Sequence, residues 1–345
     1  MVAAFALLLG GAVAVAPFAL AGTVPPFTIG PPNAAIVPGA DADQTLDDIE
    51  GNIKELGPLN SNTTKIGVIH NDAVPTLGLT NPNGQVDLRQ AWLGTESDAD
   101  GDDWLYFAWE RDNETGSGFI AFEFMQDPPP AACGNYTAPQ ADLIANCNPW
   151  ANRQAGDFII LWDQQGGSKD LFLRTWSGTA PNLTLSAPQQ LNANVSDAEY
   201  SADGFRGEGA LNLTDTVFGG SNACQSFANV IPSTVTGNSD TADYKDTILQ
   251  PVTPIGNCTS TTVTTPQDGS GTPIPDAGIS IGTGVVAVQD SAVVDIQGGT
   301  ATPAGSVAFF LCKVDSPALC DTGGTSVGST NLTGAAYPAT VVSPT

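Results

Sequence analysis

Basic residues are scarce in this chain: 10 Lys plus Arg stand against 36 Asp plus Glu, a formal net charge of −26. Such an acidic chain repels phosphate backbones and anionic lipid surfaces, which excludes nucleic acid as a partner. Histidine occurs once, as His70 in VIHNDAVP, and no two cysteines stand at CxxC spacing. A zinc or iron–sulfur centre is therefore not expected, and a Ser-His-Asp or Cys-His device would have to use His70, which has no nucleophile elbow beside it. Long amphipathic helical patterns are also rare, and charged residues make up only 13% of the chain.

What remains is 41% hydrophobic, with abundant Gly, Pro, Thr, Ser and Asn. That mixture favours strands and turns, and it suffices for sizeable cores. The start is apolar from Val2 to Val15, followed by Pro17 and the small-x-small Ala19-Leu20-Ala21. It predicts a signal peptide over residues 1–21, cut after Ala21, with an extended leader over 22–45. The apolar run is too short for a comfortable span, so no membrane insertion is expected after cleavage. An exported chain meets oxidising conditions, and its 6 cysteines fall into neighbouring pairs. Fifteen connectivities exist for six cysteines. The sequential one, Cys133 with Cys147, Cys224 with Cys258 and Cys312 with Cys320, is the most economical, each bridge closing a turn-rich excursion. Eight Asn-x-Ser/Thr sequons, from Asn62 to Asn331, allow glycosylation without requiring it.

Strand signals cluster in the middle of the chain. Val86 to Leu93 offers an ordered segment before an acidic loop, Glu96 to Asp103. Trp104–Glu110 and Phe119–Met125 flank NETGSG, and Phe158–Trp162 and Leu171–Trp176 flank Gly166-Gly167, so two hairpins are predicted. Alternation places Leu105, Phe107 and Trp109 on one face of their strand and Trp104, Tyr106 and Glu110 on the other. Ile120, Phe122 and Phe124 share a face of theirs. Aromatic bulk on both faces implies a central position, with Leu105, Phe107 and Trp109 in the core. Trp104, Tyr106 and Glu110 form the candidate ligand platform. Residues 260–284 are rich in Thr, Pro and Gly and read as a linker. Strands at Val285–Val288, Ala292–Ile296 and Ser306–Cys312 follow it.

Two further clusters carry possible chemistry. ESDADGDD, Glu96 to Asp103, gathers carboxylates around Gly101, and clustered oxygens are what Ca²⁺ requires. Glu96, Asp98, Asp100 and Asp102 are its candidate ligands, although the twelfth position of an EF-type loop would be Phe107, inside a strand. Glu110, Glu123, Asp157 and Asp163 could supply a glycosidase's paired acids, but in so acidic a chain such pairs arise by coincidence, and no enzymatic activity is expected.

IEGN near Ile49, DWLYFAWERD with GSGFIAFEFMQ, GDFIILWD from Gly156, EGALNLTD from Glu208 and the YKD of Tyr244 to Asp246 together resemble exported surface proteins of Gram-positive, mainly actinobacterial, bacteria. PAGSVAFFLC and GGTSVGS are similar to their immunoglobulin-like or prealbumin-like repeats. A fainter likeness, IEGN followed by a Leu-Tyr strand, is to carbohydrate-binding sandwiches of the family-9 type. The resemblance implies an all-β protein: a jelly-roll-like β-sandwich over residues 46–259, then a partial immunoglobulin-like β-sandwich over 285–345. It implies a secreted or cell-surface protein acting in adhesion or display, with glycans or surface proteins of a host or the environment as partners. The alternative is a carbohydrate-binding module dependent on calcium. No LPxTG-like sorting motif or stop-transfer helix follows the last repeat, so the chain is expected to be a piece of a longer protein.

Overall fold

The computed structural model describes residues 25–30, 41–48, 53–59, 65–66, 76–112, 118–219, 224–280, 282–297, 305–311, 324–332 and 339–344. The predicted signal peptide, the IEGN motif, His70, the sequons at Asn62 and Asn113, and the Cys312–Cys320 pair lie outside the described residues. Among the described residues, no helix is long and apolar enough to cross a membrane.

The protein is all-β, built from antiparallel sheets. In chain order the strands of the first part are β1 (Gln44–Asp47), β2 (Glu55–Pro58), β3 (Leu77–Thr80), β4 (Leu88–Ser97), β5 (Asp103–Arg111), β6 (Phe119–Met125), β7 (Phe158–Asp163), β8 (Leu171–Thr179), β9 (Asn182–Leu185), β10 (Gln189–Gln190), β11 (Ser196–Tyr200), β12 (Arg206–Asn212), β13 (Ser226–Phe227), β14 (Asn229–Val235), β15 (Tyr244–Thr247) and β16 (Ile255–Gly256). One sheet runs β1-β4-β5-β12-β11, and the other β10-β8-β7-β6-β14-β15, with β9 beside β8. The pairs β2–β3 and β13–β16 form separate ribbons.

The two large sheets press one core between them. The first contributes Leu105, Phe107 and Trp109, as alternation predicts, with Leu93 and Leu211; the second contributes Ile120, Phe122, Phe124, Phe158 and Trp162. Trp109 meets Trp162 edge-on, with centroids 5.6 Å apart, and Phe124 stacks on Phe158 at 4.6 Å. Gly207 and Gly209 on β12 make room for these rings. A Cβ at either would come within 2.6 Å of Trp109 or 2.8 Å of Phe107, closer than packed atoms tolerate.

The outer faces are covered as well. Over the second sheet lies the excursion between β6 and β7, held by the Cys133–Cys147 disulfide and packing Cys133, Leu143 and Trp150 against Met125, Ile159 and Ile231. Over the first sheet lies the segment 25–30, whose Phe27 packs with Trp92, Trp104, Tyr106 and Ala210. A sandwich covered on both outsides explains why the strands carry apolar residues on both faces.

Two expectations are corrected. β7 and β8 do form a hairpin, with Trp162 opposite Leu171. β5 and β6 do not: β5 lies between β4 and β12, β6 lies between β7 and β14, and the two belong to facing sheets. A Gly-rich turn signal is the same whether the chain folds back within one sheet or crosses to the other. The hairpin partner of β5 is instead β4, through a tight turn at Asp98–Asp102 in which Gly101 has φ 88°. The Thr-rich start of the presumed linker is also ordered, as β17 (Thr259–Asp268), because its run of β-branched Thr and Val263 suits a pleated surface despite Pro266.

β17 pairs along its length with β18 (Val288–Gln297), which contains the predicted Ala292–Ile296 strand, whereas of the predicted Val285–Val288 strand only Val288 is in a strand. With β19 (Ser306–Leu311), β20 (Thr325–Asn331) and β21 (Ala339–Val342) it completes a small module of two sheets, β17-β18-β21 and β19-β20. Its core is Ala292, Val294, Phe309, Leu332, Ala339 and Val341.

Candidate functional site

The aromatic platform is not an open surface. Trp104 and Tyr106 are 1% and 0% exposed, and Phe27 lies over Tyr106 with ring centroids 5.4 Å apart. Their polar tips are engaged: Trp104 Nε1 donates to Asp98 Oδ2 at 2.9 Å, and Tyr106 Oη donates to Glu208 Oε2 at 2.8 Å. The other oxygen of Glu208 accepts from the backbone N–H of Gly30 at 2.7 Å, so one carboxylate fastens both the tyrosine and the strap that covers it. Burial, then the neighbouring Glu208 charge, pushes the Tyr106 hydroxyl far above the usual tyrosine range. Glu110 accepts from Arg206 Nε at 2.8 Å and Arg89 Nη1 at 3.0 Å. The correction follows from position: in a central strand with a covered outer face, these rings add a second core layer rather than a ligand shelf.

The acidic turn is arranged around its own backbone. Asp98 Oδ1 accepts from the N–H groups of Asp100 and Asp102, each at 2.9 Å. Burial opposes its ionisation, yet the hydrogen bonds from Trp104 and the turn hold Asp98 below the usual carboxylate range. Asp102 Oδ2 accepts from Asn212 Nδ2 at 3.1 Å, and Glu96 belongs to β4. Glu96, Asp98, Asp100 and Asp102 do not gather three carboxylates around one point; among the described residues only one trio does so, and it lies elsewhere.

That trio is Glu55, Asp87 and Asp246, with one oxygen of each within 4.8 Å of the others. Glu55 opens β2, Asp87 directly precedes β4 of the first sheet, and Asp246 lies on β15, the edge strand of the second. All three are buried, at 1%, 1% and 0% exposure. Asp246 is anchored by the backbone: Oδ2 accepts from Leu88 N–H at 2.6 Å and Oδ1 from its neighbour Thr247 N–H at 2.7 Å. Both oxygens of Glu55 and Oδ1 of Asp87 are buried with no hydrogen-bond donor. Among the described residues, no lysine or arginine forms an ion pair with any of the three. The cost appears in their acidities. Burial, reinforced by Asp246, Asp48 and Asp87, pushes Glu55 up to about 9. Burial and the Asp246 and Asp112 charges push Asp87 up to about 7. Asp246 rises to about 6, chiefly through burial, its backbone donors opposing the shift.

Sequence reading passed over this trio because its members are far apart in the chain and each stands as a single acid in its segment, in KELG, QVDLRQ and YKDT. The available signal was an acid inside a strand pattern rather than in a turn. The remaining candidate acids have structural partners: Glu123 pairs with Arg153, Asp157 accepts from Gln126 and Gln154 N–H groups, and Asp163 accepts from Gln165 N–H.

No protein-family model matches the chain. No curated protein matches it. No solved structure matches it either.

Proposed function

We propose that this is an exported, non-enzymatic protein of the bacterial surface, serving in adhesion or display, with residues up to β16 as a rigid body and the small β17–β21 module as part of a stalk. The single observation behind the reading is the pair of bridges Cys133–Cys147 and Cys224–Cys258, with no free cysteine among the described residues. Disulfides persist in oxidising compartments, and these close excursions that a cytosolic protein would leave open. The sequence resemblance to actinobacterial surface proteins supports the same reading. So does the exclusion of water from both outer faces of the sandwich, which suits a body that must hold its shape outside the cell.

The test is expression of the full chain with its own N-terminal segment in an actinobacterial host. The expected outcome is a mature protein starting at Gly22, at the cell surface or in the medium, with no thiol titratable under non-reducing conditions. Retention in the cytoplasm with reduced cysteines refutes export. For partners, the mature chain is applied to glycan and matrix-protein arrays; saturable binding to a surface protein or glycan is expected, and turnover of a bound glycan would refute the non-enzymatic reading.

A further inference from the structure

The corner where β2, β4 and β15 meet places three carboxylates in an enclosed position, and among the described residues none of them forms an ion pair. Two protein geometries usually make such a cluster tolerable: a nearby arginine or lysine, or backbone donors to every oxygen. Here no ion pair to the trio is formed among the described residues, and backbone donors serve only Asp246. Glu55, 1% exposed, has no donor to either of its oxygens and turns one of them into the cluster, and Asp87, equally buried, has no donor to Oδ1. A buried carboxylate in that condition needs a proton or a metal ion.

We propose that Glu55, Asp87 and Asp246 bind a single divalent cation of the hard, oxygen-seeking class, and that this ion is Ca²⁺. The donor set is oxygen only, with neither His nor Cys, which disfavours zinc and copper. Oxygens on opposite sides of one Ca²⁺ lie about 4.6–5.2 Å apart, so a trio confined within 4.8 Å fits one coordination sphere. Mg²⁺ demands a near-ideal octahedron, which three acids from three separate segments are poorly placed to supply. Three negative charges against two leave the filled site mildly anionic, a balance seen in many calcium sites.

The ion would bridge β2, β4 and β15, and so fasten the edge of the second sheet to the first. This inference is independent of the export reading, and each can fail alone. It also moves the calcium from the Asp98 turn, whose carboxylates already serve backbone donors, to a place the linear sequence does not reveal.

The test uses the full mature chain, treated with EDTA, dialysed free of chelator and titrated with CaCl₂ at pH 7.5. At about 100-fold excess over Kd, binding to the folded state alone raises Tm by roughly 5–10 °C, and calorimetry gives one site. MgCl₂ at the same concentration gives a smaller shift. Glu55→Gln and Asp87→Asn each abolish the calcium shift, and Glu55→Gln raises the Tm of the metal-free protein because a neutral amide avoids the cost of burying or protonating that carboxyl group. Glu96→Gln with Asp100→Asn keeps the full shift. An unchanged wild-type melt up to millimolar Ca²⁺ overturns the proposal, and so does a calcium shift that survives in Glu55→Gln. Should the variants fail to fold, elemental analysis of untreated wild-type protein decides: about one calcium per chain supports the site, and none overturns it.

Discussion

Replacing Arg153 by methionine breaks the most enclosed ion pair among the described residues. Its side chain and that of Glu123 are 1% and 2% exposed. Arg153 Nε donates to Glu123 Oε1 at 2.5 Å and Nη2 to Oε2 at 2.8 Å, the paired geometry that suits guanidinium to carboxylate. Trp176 Nε1 also donates to Oε1 at 3.0 Å, and the guanidinium lies 4.3 Å from the centre of the Trp176 ring. Glu123 projects from β6 on the outer face of the second sheet, and Arg153 comes from the excursion that covers this face. The pair therefore pins cover to sheet. Methionine fills similar volume but leaves Glu123 with the indole N–H, and an uncompensated buried charge costs about 3–5 kcal/mol. Loss of the cation–π contact adds about 1 kcal/mol. At about 2–4 °C per kcal/mol for a body of this size, Tm falls by roughly 8–24 °C. Urea unfolding followed by tryptophan fluorescence and far-UV circular dichroism measures the change directly. The double variant Glu123→Leu with Arg153→Met removes both charges and should recover most of the loss, to within about 2 kcal/mol of wild type. If the single variant costs less than about 1 kcal/mol, or the double variant costs as much as the two singles summed, the pair does not work as described.

Two further changes probe other closures. Phe27→Ala empties the strap's main contact; burying a phenylalanine is worth about 1.5–3 kcal/mol, so the segment should undock locally while the sandwich persists. Acrylamide quenching of tryptophan should then increase, through Trp92 and Trp104, with little change in Tm; unchanged quenching refutes the strap's role in covering that face. Asp157 tests pH dependence. Burial raises its carboxyl to about 6 from the ordinary 3.8, with the Gln126 and Gln154 N–H donors opposing. A raised folded value means the native state favours the protonated acid, so stability declines as pH rises from about 4 to about 6 and is level above that. The decline amounts to roughly 3 kcal/mol. Asp157→Asn should flatten the slope relative to wild type in that window; parallel curves for the two proteins refute the assignment.

Alternation made the interior legible. Leu105, Phe107 and Trp109 fall on the core face because side-chain direction in a strand follows from spacing alone, and Phe122 and Phe124 follow the same rule. The two bridges within the described residues were legible as well, since neighbouring cysteines closing short excursions leave few reasonable pairings. Strand partnership was not. The pairing of β5 with β4 and β12 is decided by which edges are left to fill, a global property that no local turn signal carries. Covering was not legible either. The tyrosine face of β5 has the composition of a ligand shelf and the burial of a core, and only the return of Phe27 from far upstream in the chain separates the two. The carboxylate trio failed for a related reason: Asp98 and its neighbours are adjacent in sequence and satisfied locally, whereas Glu55, Asp87 and Asp246 meet only after three strands have been placed.

A net charge of −26 makes the location of each acid informative. Most carboxylates on such a chain repel one another through water, where screening within about 10 Å makes the cost small. Inside, the same repulsion acts through a medium that screens poorly, so each buried acid must have a counterpart. Glu123 has Arg153, Glu208 has Tyr106 and Gly30, and Asp157 has the Gln126 and Gln154 donors. With only 10 Lys plus Arg to share, the fold spends its arginines on β6, β5 and β8 and reaches the β2–β4–β15 corner without one among the described residues. The proposed divalent ion supplies there the charge that the sequence does not encode. Under this reading, the scarcity of basic residues and the unsatisfied Glu55 have one explanation, and chelation should loosen the second sheet's edge before it disturbs the Trp109–Trp162 centre.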